Sequence, residues 1–316
     1  MQDSGRWPGL EFGLVYTMAC WNNNTNNHTA TQENEALIEN SGDANSNYYN
    51  MSHRRRGTAV IFNHYYFSIN GFKARVGTNV DRDKLKEALK HLGFDVKVYN
   101  DLTCNDLMQK VREEAEADHS ESDAFVMAVL THGQKDFLFA NDRSYKYDFL
   151  WTNFTADKCP SLSNKPKLFF IEACQISTSD SEVVQQEPEG NDELLPSKGN
   201  INLSGDFNFF FQPDFLIAFS TVPGDYSFRN RKNGTWFIQA LASKLKKHGR
   251  NLNLQSLLTE VSQHVAYGHI SNFPDNPLLD KKKQIPCIFY TLTKLLIFPK
   301  KPKNQEHNLT AHCKCI

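Results

Sequence analysis

No run of about 18 apolar residues occurs in the 316-residue chain, which argues against a membrane-spanning helix. Excess charge of either sign is also missing. Lys and Arg number 35 against 36 Asp and Glu, a formal net charge of −1, so no bulk attraction to nucleic acid is available. A secretory leader is lacking too: Leu10–Met18 is mildly apolar but interrupted, and has no basic flank. The seven cysteines are scattered and odd in number, which suits free thiols in a reducing, cytoplasmic setting better than a disulfide framework. Sequons such as Asn27-His28-Thr29 then stay silent. What is present is a 40% hydrophobic composition, enough for one large α/β domain with flexible ends.

Residues 20–50 hold ten asparagines among serine, threonine and glutamate. Such a segment buries too little surface to offset its ordering entropy, so residues 1–50 are read as a disordered leader. Order is expected from near Arg54. Thr58–Phe62 and Asp95–Tyr99 read as strands, and Asp81–Leu92 and Asn105–Ala117 as helices. In the first helix Leu85, Leu89 and Leu92 share a face and Gly93 supplies the stop. This alternation predicts a parallel sheet with helices on both faces. Ala124–Leu130, Lys167–Ile171 and Phe215–Ser220 are apolar runs that continue it as buried strands. Thr235–Lys247 and Leu254–Tyr267 read as helices, and Ile288–Thr291 and Leu295–Phe298 as strands. Between them, Gln175–Gln212 breaks the rhythm; from Thr178 to Gly199 it carries six acidic residues and one lysine. A loop this long inside a compact domain is functional or disordered. The tail beyond Pro299 is basic, then polar, and is expected to fray.

Two of the buried strands end in reactive side chains. Ala124–Leu130 runs into Thr131-His132-Gly133, and Lys167–Ile171 into Glu172-Ala173-Cys174-Gln175. Chemistry in open α/β sheets sits beyond the carboxyl ends of the strands, so His132 and Cys174 are expected on one rim. A cysteine that shares a proton with a histidine is a thiolate nucleophile in waiting.

These segments resemble the His-Gly and Gln-Ala-Cys signatures of caspases, in which the histidine lies about 50 residues upstream of the cysteine; here they are 42 positions apart. Arg75-Val76-Gly77-Thr78-Asn79-Val80-Asp81, Tyr226-Ser227-Phe228-Arg229-Asn230, Gly234-Thr235-Trp236-Phe237 and Lys283-Gln284-Ile285-Pro286-Cys287 match in the same order. The likeness spans about Tyr49 to Phe298 and is greatest to effector caspases of insect type.

The resemblance implies an α/β sandwich around a mostly parallel six-stranded sheet. It divides the chain into a large-subunit part (51–177), an acidic linker (178–212), a small-subunit part (213–300) and a flexible tail (301–316). It implies a cysteine endopeptidase acting in apoptosis or related signalling, with Cys174 as nucleophile and His132 as proton shuttle. The backbone N–H groups of Gly133 and Cys174 would hold the oxyanion, and the carbonyl of Lys73 would orient the histidine. Arg75 and Arg229 stand where caspases keep the two arginines that grip an aspartate at P1, the residue before the cut bond; arginine's fork suits a buried carboxylate. Tyr226, Phe228 and Trp236 would shape neighbouring subsites. Linker cleavage is expected after Asp180, Asp192 or Asp206: Asp180 has the best following residue and Asp192 is most central. No metal or organic cofactor is needed. The implied partners are protein substrates, an upstream activating caspase, inhibitor-of-apoptosis proteins, and a second caspase chain, identical or sibling, joined through Ile288–Leu292.

Two residues depart from the pattern. Glu172 replaces the family's glutamine, and Ile176 its glycine. Between two arginines Glu172 is expected to ionise, pair with them and repel the substrate carboxylate, which shifts the P1 preference toward uncharged residues. The alternative is a decoy that binds caspases without cutting. Two further motifs read as tail: Cys313-Lys314-Cys315-Ile316, vaguely like a prenylation box, and His307, His312, Cys313 and Cys315, irregularly spaced for a metal.

Overall fold

The computed structural model describes residues 46–175, 192–193, 212–277 and 279–301. In its first half β1 (Thr58–Asn63), α1 (Thr78–His91), β2 (Asp95–Asn100), α2 (Cys104–Glu116) and β3 (Phe125–Leu130) alternate. A small antiparallel sheet follows, made of β4 (Gly133–Gln134), β5 (Phe137–Phe139) and β6 (Ser144–Lys146). Then come a short helix α3 (Phe149–Thr152) and β7 (Lys167–Glu172). The remainder is β8 (Asp192–Glu193), β9 (Phe215–Phe219), β10 (Arg229–Asn230), β11 (Gly234–Thr235), α4 (Trp236–His248), α5 (Leu254–Gly268) and β12 (Cys287–Tyr290). The main sheet has six strands in the order β12-β9-β7-β3-β1-β2; every pairing is parallel except that of β12.

Strand periodicity builds two cores. Ala59, Ile61, Val126, Ala128, Leu168 and Phe170 face α1, α4 and α5. Their neighbours Val60, Phe62, Met127, Val129, Phe169 and Ile171 face α2 and α3. The central strands are buried on both faces, which is why they read as unbroken apolar runs.

A buried ion cluster ties the two ends of the chain together. Arg56, 2% exposed, donates to Asp123 Oδ2 at 2.8 Å, to Leu92 O at 3.1 Å and to Pro299 O. Asp123, 0% exposed, is also 2.6 Å from Lys301 Nζ and accepts from His53 N at 3.0 Å.

Three expectations are corrected. The leader ends before residue 50, because Tyr49 is buried and donates to Asp214 Oδ1 at 2.7 Å. Leu295–Phe298 is no strand: Leu295 forms one bridge with Tyr48, while Leu296 and Phe298 pack into the helical core instead. The β4–β6 sheet comes where no strand is expected. Ile176, Asp180, Asp206 and the C-terminal cysteines and histidines lie outside the described residues. No described helix is long and apolar enough to cross a membrane.

Candidate active site

Strand register brings the two reactive residues together. Leu130 lies opposite Glu172 in the β3–β7 pair, and Thr131 N donates to Glu172 O at 3.0 Å. His132 and Cys174 each follow two residues later, on the same carboxyl rim. The backbones meet there: a Cβ on Gly133 would fall 2.5 Å from Cys174 O and 2.8 Å from Ala173 Cβ. Only glycine fits, and its bare backbone leaves room for a substrate carbonyl.

His132 sits against Phe67 and Phe72, with ring centroids 4.9 and 5.3 Å away. One ring nitrogen bonds the Lys73 backbone carbonyl, in the place the spacing suggests, and Nε2 is buried without a partner. Burial holds the imidazole well below its usual range; Arg75 and Arg229 push the same way, and the Lys73 bond opposes them. The Cys174 thiol donates to Ser227 O at 3.7 Å. Burial drives it up to about 11, against the pull of the Ser227 bond and the two arginines. At neutral pH the resting pair is therefore thiol and neutral imidazole. Such a histidine accepts the thiol proton as the sulfur attacks, rather than holding a preformed ion pair.

The basic pocket lies beside this pair. Gly77, at φ 95°, starts α1 so tightly against β10 that a Cβ would fall 2.6 Å from Asn230 O. That packing sets Arg75 beside Arg229. Arg75 is 2% exposed and donates to Thr78 Oγ1 at 2.9 Å and to His64 O at 3.2 Å; its Nε has no partner. Burial, with repulsion from Arg229, lowers its guanidinium to about 9, and Glu172 and Asp81 resist that fall. An anion entering here relieves both effects.

Glu172 behaves differently from the sequence expectation. It is 1% exposed, and its Oε1 accepts from the Ser227 hydroxyl at 2.5 Å rather than from either arginine. Burial raises its carboxyl and outweighs the Ser227 bond and the pull of Arg75 and Arg229. The expected ionised residue paired with arginine is thus corrected: desolvation dominates over charge attraction here.

Beyond the pocket, Phe228 stacks on Trp236 with centroids 4.4 Å apart, Tyr226 lies 6.3 Å from Phe228, and His269 extends the stack at 4.8 Å from Trp236. Asn230, Trp236, His264 and His269 line an adjoining cleft. The linker's β8 pairs antiparallel with β10, with Asp192 opposite Asn230 and Glu193 opposite Arg229.

Sequence reasoning missed four residues. Ser227 contacts both Cys174 and Glu172. Gln284 fixes Ser227 by donating to its Oγ at 3.3 Å. Asp81 holds α4 through Thr235 N at 2.9 Å and Gln239 Nε2 at 2.6 Å, and burial with Glu172 pushes it up to about 7. Phe72 packs on His132. Ser227, Gln284 and Asp81 all stand inside segments that match the family, but a motif does not say which side chains turn inward.

Comparison with known proteins decides the family. The caspase-domain model matches residues 56–297. The chain belongs to the caspase family. It is 46% identical to Caspase-1 of Spodoptera frugiperda over 82% of this chain and 84% of that one. It is 44% identical to Caspase drICE of Drosophila melanogaster, covering 80% and 73%. The crystal structure of the Spodoptera caspase superposes with a TM-score of 0.71 over 82% of this chain and 98% of that chain. This caspase is a cysteine endopeptidase of the insect-like effector type, and its mostly parallel six-stranded sheet is the family's fold.

Proposed function

We propose that this caspase cleaves proteins after aspartate in apoptosis or related signalling, as a cytoplasmic dimer activated by cutting of its linker. The observation that carries the reading is the pair of arginines beside the nucleophile, Arg75 buried with an unused Nε, a site suited to a carboxylate. Cys174 attacks the scissile carbonyl while His132 takes its proton. The oxyanion is held by the N–H groups of Gly133 and Cys174, the leaving amine receives the proton from His132, and water then hydrolyses the thioester.

Dimerisation through a second caspase chain, identical or sibling, is supported by β12, the antiparallel edge of the sheet, where Tyr290 is 54% and Ile285 53% exposed. Processing within the linker is supported by β8, which lays Asp192 along the strand that carries Arg229. An upstream caspase would make that cut, and inhibitor-of-apoptosis proteins would compete at the groove. The test is a fluorogenic tetrapeptide library presented to protein cut in the linker, with Cys174→Ala as the blank. Turnover concentrated on aspartate at P1 is expected. A folded dimer with no turnover above the blank would instead support the decoy reading.

A further inference from the structure

We propose that Glu172 serves as a neutral hydrogen-bond donor to the P1 carboxylate, and that aspartate selection therefore weakens as pH rises. The inference rests on the aspartate-directed reading above and adds a specificity residue with a switchable proton.

Hydrogen-bond directions around Glu172 fix where that proton sits. Gln284 is oriented unambiguously: its Oε1 accepts from Phe228 N at 2.8 Å and its Nε2 donates to Ser220 O at 2.7 Å. The same Nε2 donates to Ser227 Oγ at 3.3 Å. Ser227 Oγ is thus an acceptor toward Gln284, and its own proton points to Glu172 Oε1 at 2.5 Å. Oε1 is the acceptor oxygen of the carboxyl. Oε2 is buried and lacks a hydrogen-bond partner, so it carries the proton. A glutamine side chain would make the same pattern, with its carbonyl toward Ser227 and its N–H on the free side. A protonated Glu172 is therefore the functional equivalent of an amide, held by Ser227 and Gln284.

The groups facing Glu172 set the balance. Arg75 from the loop before α1 and Arg229 on β10 favour its charged form, with weaker help from the Thr235 hydroxyl. Asp81 on α1 repels that form, and Glu172 in turn raises Asp81 and Cys174. Burial outweighs the attractions and keeps the proton on. A P1 carboxylate brought alongside raises Glu172 further, so aspartyl peptides bind with uptake of a proton once the free site has lost it. At low pH the ligand carboxylate meets two arginines and an O–H. Above the raised Glu172 value it meets a carboxylate, losing a donor and gaining repulsion.

The test compares kcat/KM for peptides that differ only in Asp or Asn at P1, from about pH 5.5 to 9. Aspartate is already ionised across this range, and the Cys174 and His132 titrations cancel in the ratio. The Asp/Asn ratio is expected to fall about tenfold or more with rising pH, and to stay level in Glu172→Gln. A level ratio in the unaltered protein, or a slope that persists in Glu172→Gln, overturns the assignment. A second arm needs no turnover. Cys174→Ala protein is titrated calorimetrically with P1-Asp peptide amide in buffers of different ionisation enthalpy. Proton uptake that vanishes on adding Glu172→Gln is the expected result. Binding without uptake, or no binding at any pH, overturns the proposal. Uptake without any turnover in the unaltered protein would sink the protease reading and leave the donor role standing.

Discussion

Replacing His132 with alanine is expected to lower kcat by about 10²–10⁴-fold, the usual contribution of a positioned general base and acid. The loss should fall on kcat and leave KM nearly unchanged, because the arginine pocket and the aromatic stack remain intact. The resting protonation states make the dependence severe. Burial holds the Cys174 thiol up to about 11, so almost no thiolate exists at neutral pH without a proton acceptor at hand. His132, kept neutral by burial and by Arg75 and Arg229, is that acceptor. In His132→Ala the residual rate should climb steeply with pH, as the thiol ionises unaided. Steady-state kinetics of the linker-cut protein against pH checks both features. A variant that keeps within a few-fold of full kcat at neutral pH would mean that another base serves Cys174.

Asp123→Ala is expected to destabilise the fold by about 3–5 kcal/mol, the usual consequence of stripping one partner from a buried ion pair. Arg56 and Lys301 would be left with buried or half-buried positive charge and no carboxylate to meet it. The readout is the urea midpoint, which should drop while the slope of the transition stays the same. The cluster also has a consequence for activation. His53, Arg56 and Asp123 precede the linker, whereas Pro299 and Lys301 follow it. A cut between the two parts leaves this contact to hold them, so linker-cut Asp123→Ala should lose activity faster on dilution than the uncut variant loses structure. Equal stability of the variant and the unaltered protein would contradict the account.

The frame of the molecule was legible because its physics is local. Phe125–Leu130 and Lys167–Glu172 are buried on both faces and so write themselves as apolar runs, and Leu85 and Leu89 mark the face of α1 at helical spacing. The rim position of His132 and Cys174 followed from parallel strands alone, and the Lys73 carbonyl from spacing within a matched motif. Short strands such as β5 and β6 escaped notice because three residues give too little alternation to register. Leu295–Phe298 misled because an apolar run does not say whether it pairs with a sheet or packs under helices. Glu172 misled in a more instructive way. The two neighbouring arginines are visible in the sequence, but the depth of burial and the Ser227–Gln284 relay are not, and those decide its charge.

The most direct test of the central claim is covalent. A peptide carrying an aspartyl acyloxymethyl ketone, incubated with linker-cut protein, reports by peptide mass mapping which sulfur it alkylates. A single adduct on Cys174, lost in Cys174→Ala and slowed by His132→Ala, is the predicted result. An adduct on Cys104, Cys159 or Cys287 instead, or none on a folded dimer that still cleaves peptides, would contradict the assignment of Cys174 as the nucleophile.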